Sequence, residues 1–514
     1  MLCGALTAAA CSDDLSVTAV RADRTTTIAP ETNAPATSAP DTSAPGTTAP
    51  GTTAPGTTAP GTTPPGTTTV PSDPDGLGDV LYPSLGNPGI DVSDYDITLG
   101  YDPVDDSIDA AVTLTILATE SRSEFTLDAV DLAVDAVTVD GIPAGFAIEP
   151  EELRVTPAAP LEAGRSFTVT IEYTAAPDPI GAVGLPAGWF HTETGAYVLN
   201  EPDGARSWLP SNDHPSDKAT YTFRITVPAG STAVANGALV SSSPSGDAST
   251  TTWAWRQDQP MATYLILLLV GDYELIDSVS PDGLPLVSAV LRGDRAGVQP
   301  CLDTMGPQLD YFVDLFGPYP LDRYGIAVTD SFPGLAMETQ GRSLFSRDDL
   351  GACVPDYLQH LLLSHELAHQ WFGNAVSPAT WQDIWLNEGF ATYGEWLWLD
   401  HISEQDLDVA AGRALADRQF AVGRPVASPA VDDLFGDNSY RGGAMVLHAL
   451  RRTVGDEVFF DLLRRWAADN SGTSRTTAEF TAFAEQVAGR DLDDLFDAWL
   501  YASKVPSTFP EPAG

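Results

Sequence analysis

LLLSHELAHQWFGNAVSPATWQDIWLNEGFATYGE, residues 361–395, is the stretch on which the reading of this chain turns. His365 and His369 stand four residues apart in an apolar run free of Gly and Pro. On a helix that spacing stacks two imidazoles on one face. Glu366 follows His365 directly, completing an H-E-x-x-H pattern. Eighteen residues separate His369 from Glu388, which lies in a second amphipathic run, DIWLNEGFATYGEWLWL, beyond a loop carrying Pro378. Two helices facing each other would deliver His, His and Glu to one point.

Zinc takes two imidazole nitrogens at about 2.0–2.1 Å and a carboxylate oxygen at similar range, and three protein ligands leave a fourth position for water. His365, His369 and Glu388 are therefore expected to hold one Zn2+ per chain, with Glu366 placed as general base toward that water. The alternative is a core histidine pair with a buried Glu, which would strand a carboxylate in an apolar helix at high cost.

The 514 residues are 43% hydrophobic, enough for a large core in more than one domain. Net charge is −46, from 25 basic and 71 acidic residues. So acidic a surface repels phosphate backbones and anionic lipid, which argues against a nucleic-acid partner. The start, MLCGALTAAAC, looks like the tail of a secretory signal with its positive segment lying upstream. Its likeness to bacterial lipoprotein signals makes Cys11 a candidate lipidated residue; an ordinary disordered terminus is the alternative. The expectation is an extracellular protein tethered to the outer face of the membrane, or one freely secreted. No run of about 18 apolar residues is present to span a bilayer.

Residues 1–11 thus form a signal-type remnant, and 12–78 a disordered linker rich in Thr, Pro, Ala and Gly with the repeat APGTT. Residues 79–280 read as strands: YDITLGY, AAVTLTILAT, EFTLDAV, SFTVTIEYTA, ATYTFRITV, TTTWAWR and ATYLILLLVGDY alternate between turn signals. The stretch LNEPDGARSWLPSNDHPSDKATY is too polar for a plain strand and is expected to reach into a neighbouring site. Residues 281–514 read as a mainly helical domain with a small sheet in front, and the whole as α+β in two domains. Cys301 and Cys353 are expected just before the first helix and just before the zinc helix of that domain. In an exported protein their pairing would be worth about 4 kcal/mol in the chain-entropy model; free buried thiols are the alternative.

From about Tyr95 to the C-terminus, several separated motifs in order, the zinc stretch and WLNEGFATY among them, resemble the aminopeptidase N family of gluzincins. The resemblance implies a saddle-like antiparallel β domain followed by a thermolysin-like catalytic domain, and His365, His369 and Glu388 as ligands with Glu366 as base. The family's G-A-M-E-N segment falls on Leu335-Ala336-Met337-Glu338-Thr339, which implies substrate binding there and Glu338 on the substrate α-amine. Leu335 and Thr339 depart from that pattern, and Thr339 lacks the amide that would bond a peptide backbone. Glu201, in LNEPDGAR, falls in the second amine-binding segment, where Leu199 replaces a frequent Gln; a turn residue pairing with Arg206 is the alternative. Tyr440 matches the catalytic tyrosine, with Gly442 where Lys is usual; a core aromatic is the alternative. Glu395, seven residues beyond Glu388, shares its helix face and is expected to accept a proton from a zinc-ligand imidazole.

The implied activity is removal of N-terminal residues from peptides by a monomer. A thermolysin-like endopeptidase, a non-catalytic surface binding protein and an epoxide hydrolase are the alternatives. The sequence runs to shortly after WLYASKVPSTFP, so the resemblance is expected to be to a short form without the C-terminal helical-repeat domain of larger members.

Overall fold

The computed structural model describes residues 76–181, 186–193, 195–331, 334, 336–350, 357–420 and 423–513. The signal-type segment, Cys3, Cys11 and nearly all of the linker lie outside them, as do Leu335 and Cys353.

Alternating residues in the first domain make strands with one buried face, as in Ile90–Asp102 and Ser107–Ala118, where buried positions recur at every second residue except across an irregularity at Val92–Asp94. These two are central in an eight-stranded sheet. Its order is Ala238–Pro244, Thr250–Met261, Ala219–Pro228, Ile90–Asp102, Ser107–Ala118, Ser166–Ala175, Ala133–Val139, Ile142–Pro143. Every pairing in it is antiparallel except that of Ile90–Asp102 with Ala219–Pro228, which is parallel. A four-stranded sheet (Thr232–Ala235, Leu268–Gly271, Gly195–Leu199, Gly188–Thr192) and a three-stranded one complete the domain.

ATYLILLLVGDY, expected as one strand, is broken. Thr263–Leu265 form a 3₁₀ turn, Leu268–Gly271 joins the four-stranded sheet, and Tyr273 opens a strand in another sheet. Side chains and loops claim the backbone in between: Leu267 N donates to Asn236 Oδ1, and the carbonyl of Leu265 accepts from Gln340 N and Asn236 Nδ2. The strand Tyr273–Val279 pairs with Pro285–Leu291, so the hairpin at residue 280 lies wholly within the sheet of the second domain. That sheet continues through Ile326–Thr329 and Ser343–Ser346 to a two-residue edge strand, Ala336–Met337.

Helices follow: α1 Arg295–Phe316, α2 Arg347–Leu350, α3 Tyr357–Ala368, α4 Trp385–His401, α5 Leu407–Phe420, α6 Gly443–Val454, α7 Asp456–Asn470, α8 Thr477–Ala488 and α9 Asp493–Phe496. α4 is buried from Trp385 to Leu399 and is flanked by α3, α5 and α6. No helix among the described residues is long and apolar enough to cross a membrane. The apolar core of the first domain runs without a break into the second, taking in Met337, Leu344, Trp381 and Ile384. The polar stretch after Leu199 crosses this seam and is buried from Asn200 to Pro215. A buried loop must satisfy its own backbone, and acidic side chains do so: Asp128 accepts from Asp213 N, Gly86 N and Asn87 Nδ2, and Asp213 from Arg206 N and Thr263 Oγ1.

Candidate metal centre and substrate pocket

α3 carries His365 and Glu366 and ends at Ala368; His369 lies in the turn just beyond, its N–H still bonded to the carbonyl of His365. Glu388 sits in the first turn of α4. The packing of α3 on α4 puts Glu388 Oε2 3.2 Å from His365 Nε2 and 3.5 Å from His369 Nε2. Ligands about 2.0–2.1 Å from a tetrahedral ion stand about 3.4 Å apart, so these separations are those of a zinc coordination edge. All three residues are buried, their donor atoms lie within 4.8 Å of one another, and Glu388 Oε1 has no hydrogen-bond partner. The donor set fits zinc.

The other ring nitrogens are taken. His365 Nδ1 lies 2.5 Å from Glu395 Oε1, and His369 Nδ1 lies 3.1 Å from the carbonyl of Phe372. Both bonds keep a proton on Nδ1 and turn Nε2 inward toward Glu388. Burial opposes an imidazolium at His365, yet Glu388 and Glu395 outweigh it and hold its pKa at about 10 in the metal-free chain. Glu388 is held far below the usual carboxylate range, because His369 and His365 outweigh its burial.

Glu366 Oε2 is buried without a hydrogen-bond partner. Burial raises its carboxyl to about 7, the two histidines opposing the rise and Glu338 adding to it. Tyr440 lies in a π-helical turn, Asn438–Gly442, that feeds α6, and its ring stacks on His365 at 5.8 Å between centroids. Burial first, then Glu388, Glu201, Glu338 and Glu366, push its phenol far above 10. It stays a neutral donor.

Glu338 follows the edge strand Ala336–Met337, and both of its carboxylate oxygens are buried without a hydrogen-bond partner. The Ala336 and Met337 side chains point into the two cores, leaving only backbone at the sheet edge. Thr339 is buried, and its hydroxyl donates to the carbonyl of Arg342. Glu201 lies two residues beyond Leu199, which is itself buried, and burial together with Glu338 raises its carboxyl well above the usual range. Arg206 is engaged by Asp203 at 2.6 Å and by Glu151 at 3.7 Å rather than by Glu201. One oxygen each of Glu201, Glu338 and Glu388 lies within 4.8 Å of the others, so the two segments meet at the metal site. Cys301 is disulfide-bonded.

Sequence reasoning passed over the parts that hold these groups. Gln370 Nε2 and Asn374 Nδ2 both donate to the carbonyl of Glu338, at 3.2 and 2.6 Å. Tyr264, from the first domain, donates to the carbonyl of Gly373 and accepts from Asn387 Nδ2. Gly389 of α4 and Gly443 of α6 touch so closely that a Cβ on Gly443 would lie 2.6 Å from Gly389 Cα. HQWFGN, adjoining the zinc motif, was the one signal in the sequence for Gln370 and Asn374.

The comparisons agree with this geometry. Residues 92–265 match the Peptidase M1 N-terminal domain, and residues 301–499 the Peptidase family M1 domain. Aminopeptidase M1 of Arabidopsis thaliana is 28% identical over 330 residues, covering 60% of this chain and 37% of its own length. A probable M1 family aminopeptidase of Encephalitozoon cuniculi is 28% identical over 446 residues, covering 79% of this chain and 50% of its own length. The chain thus spans half or less of these two relatives. An M1 zinc metallopeptidase from Deinococcus radiodurans, solved as a variant bound to a Tyr-Ser-Ala substrate, matches with TM-score 0.78 and 31% identity over 85% of this chain and 100% of that one. A two-domain M1 zinc metallopeptidase variant bound to L-arginine matches equally. With both domains matched in this order, and 31% identity to a two-domain M1 zinc metallopeptidase covered over its whole length, this chain belongs to peptidase family M1, the zinc metallopeptidases.

Proposed function

We propose that the protein is a zinc aminopeptidase that removes N-terminal residues from peptides, acting as a monomer. The observation that carries this reading is the joining of two acidic groups: Glu201 and Glu338 approach Glu388 within 4.8 Å in a buried pocket beside the two imidazoles. A buried ammonium needs anionic partners from more than one side, and an endopeptidase has no use for them.

His365, His369 and Glu388 hold the zinc, which when bound supplies Lewis acidity for activating a water and polarising a carbonyl. Glu201 and Glu338 clamp the substrate ammonium and so register the first peptide bond against the metal site. Glu366 takes the proton from the attacking water on Oε2 and returns it to the leaving amine, so that water is added across the C–N bond with no net proton change at the enzyme. Tyr440, kept protonated by burial and by its acidic surroundings, donates its hydroxyl to the developing oxyanion. Glu395 and the Phe372 carbonyl hold the two rings in the ligating tautomer.

A panel of aminoacyl chromogenic substrates, each with a free and an N-acetylated amine and run with and without a zinc chelator, tests this. Cleavage of free-amine substrates alone, abolished by chelator, is expected. Equal cleavage of blocked substrates would make the protein an endopeptidase.

We also propose that the protein works outside the cell, held by a lipid on Cys11 through its Thr/Pro/Ala/Gly-rich spacer, with Cys301 paired to Cys353. A disulfide at Cys301 suits an oxidising compartment. An unmodified Cys11 in the mass of the mature N-terminal fragment would leave a freely secreted enzyme.

A further inference from the structure

The chain contains two lysines, Lys218 and Lys504, and one of them is placed at the domain seam. Lys218 immediately precedes the strand Ala219–Pro228 of the first domain, yet its Nζ donates to the carbonyl of Asn374 at 2.8 Å and to that of Ala375 at 3.2 Å. Both acceptors belong to the turn that leaves the H-E-x-x-H helix. An amine offers at least two N–H donors in either protonation state, so both bonds persist although burial lowers the pKa of this lysine to about 7.

That turn serves several groups at once. Its Phe372 carbonyl meets His369 Nδ1. Its Gly373, at φ +133°, is a position where any other residue would be strained, and a Cβ there would lie 3.1 Å from His369 Nδ1. Its Asn374 donates Nδ2 to the carbonyl of Glu338 at 2.6 Å. A side chain of the first domain thus grips, through backbone carbonyls, the turn that holds the backbone of Glu338.

We propose that Lys218 is a positioning residue for recognition of the substrate amine: it presets residues 372–376, and Asn374 passes that setting to Glu338. The proposal rests on the aminopeptidase reading, to which it adds a contribution from the first domain outside the Glu201 segment. Without the lysine the carbonyl of Asn374 is left with the long contact from Ser377 Oγ at 3.5 Å, and that of Ala375 with Gly472 N at 2.7 Å. The turn then relaxes, and the Asn374 amide no longer pins Glu338. His365 and Glu388, carried by α3 and α4, keep their places, and His369 stays tied to the carbonyl of His365 through its own N–H.

The test compares Lys218→Met, Lys218→Arg, Asn374→Ala and the Lys218→Met/Asn374→Ala double variant with the wild type, all in the zinc-loaded full chain. Lys218→Met is expected to raise KM for free-amine substrates about tenfold with a much smaller change in kcat, at unchanged zinc content, and to narrow the preference for free over N-acetylated substrates. Lys218→Arg should restore most of the loss, since a guanidinium also serves two carbonyls. Asn374→Ala should reproduce the defect, and the double variant should be no worse than the worse single one. Unchanged KM and amine preference in Lys218→Met, or additive losses in the double variant, would overturn the proposal. If Lys218→Met does not fold, Asn374→Ala carries the same readouts. Hydrogen exchange separates this idea from the functional reading: Lys218→Met should speed exchange across residues 370–376 and 338–343 and leave α4 protected. Should the wild type show no preference for free amines, the aminopeptidase reading falls, and unchanged exchange at 338–343 would remove the relay as well.

Discussion

Glu395 and the Phe372 carbonyl decide how the two imidazoles of the site are turned, and Glu395 also decides what zinc must displace. In the metal-free chain His365 keeps its proton to a pKa of about 10, between Glu388 and Glu395. Zinc needs Nε2 bare, so protons compete with it throughout the neutral range. Zinc affinity is therefore expected to rise with pH, by about tenfold per unit between pH 6 and 8.5, in competition with a chelating dye. Glu395→Gln should lower affinity at neutral pH about 10–100-fold and flatten that slope, because His365 loses one of its two anionic neighbours. A steep slope retained in the variant would contradict this account of the proton. Glu366 plays the opposite part, since its Oε2 touches no donor and is free to carry a proton. Glu366→Gln should keep stoichiometric zinc while turnover falls about 10²–10⁴-fold; metal analysis beside kcat checks both halves.

At the scale of elements, the site depends on how closely α6 approaches α4. Gly389 and Gly443 let the two backbones meet, and the π-helical turn Asn438–Gly442 just ahead of Gly443 carries Tyr440 onto His365. A π turn inserts a residue and re-aims the side chains around it, which is why such turns recur at functional sites. Gly443→Ala would force a Cβ to within 2.6 Å of Gly389 Cα, with backbone rather than a flexible side chain in the way. The helices must separate, at an expected cost of about 1–3 kcal/mol, measurable by denaturant unfolding. Tyr440 moves with α6, so kcat should fall more than zinc content. If Gly443→Ala loses stability at full turnover, the placement of Tyr440 does not depend on this contact. RGGAM shows two glycines; it does not show that the second faces another glycine 54 positions upstream.

For the whole molecule, the two domains are one packed body at the site: the core of the first runs into the second, and a buried polar loop crosses between them. Lys218 makes that seam sensitive to pH. Burial lowers its pKa to about 7 in the folded chain, whereas an unfolded lysine keeps its proton to about 10.4. Between these values the unfolded state binds more protons, so the free energy of unfolding gains a positive slope with pH from this group; below about 7 both states are protonated and its slope vanishes. Unfolding midpoints at pH 7, 8 and 9 should rise more in the wild type than in Lys218→Met. Parallel pH profiles for the two proteins would remove Lys218 as the source.

What the sequence determined alone is what local periodicity can encode. Four-residue spacing put His365 beside His369, the seven-residue spacing of Glu388 and Glu395 put both on one face of α4, and period-two alternation marked most of the strands. Helix and strand geometry convert such spacings into positions without knowledge of the rest of the chain. Only the tertiary structure decided that Glu201 and Glu338, 137 positions apart, share a pocket with Glu388, that ATYLILLLVGDY is divided between sheets, and that Arg206 serves Asp203. It alone disclosed Lys218, whose partners are backbone carbonyls. Every residue carries that same carbonyl, so nothing in the letters of the turn marks which of them a distant amine will find.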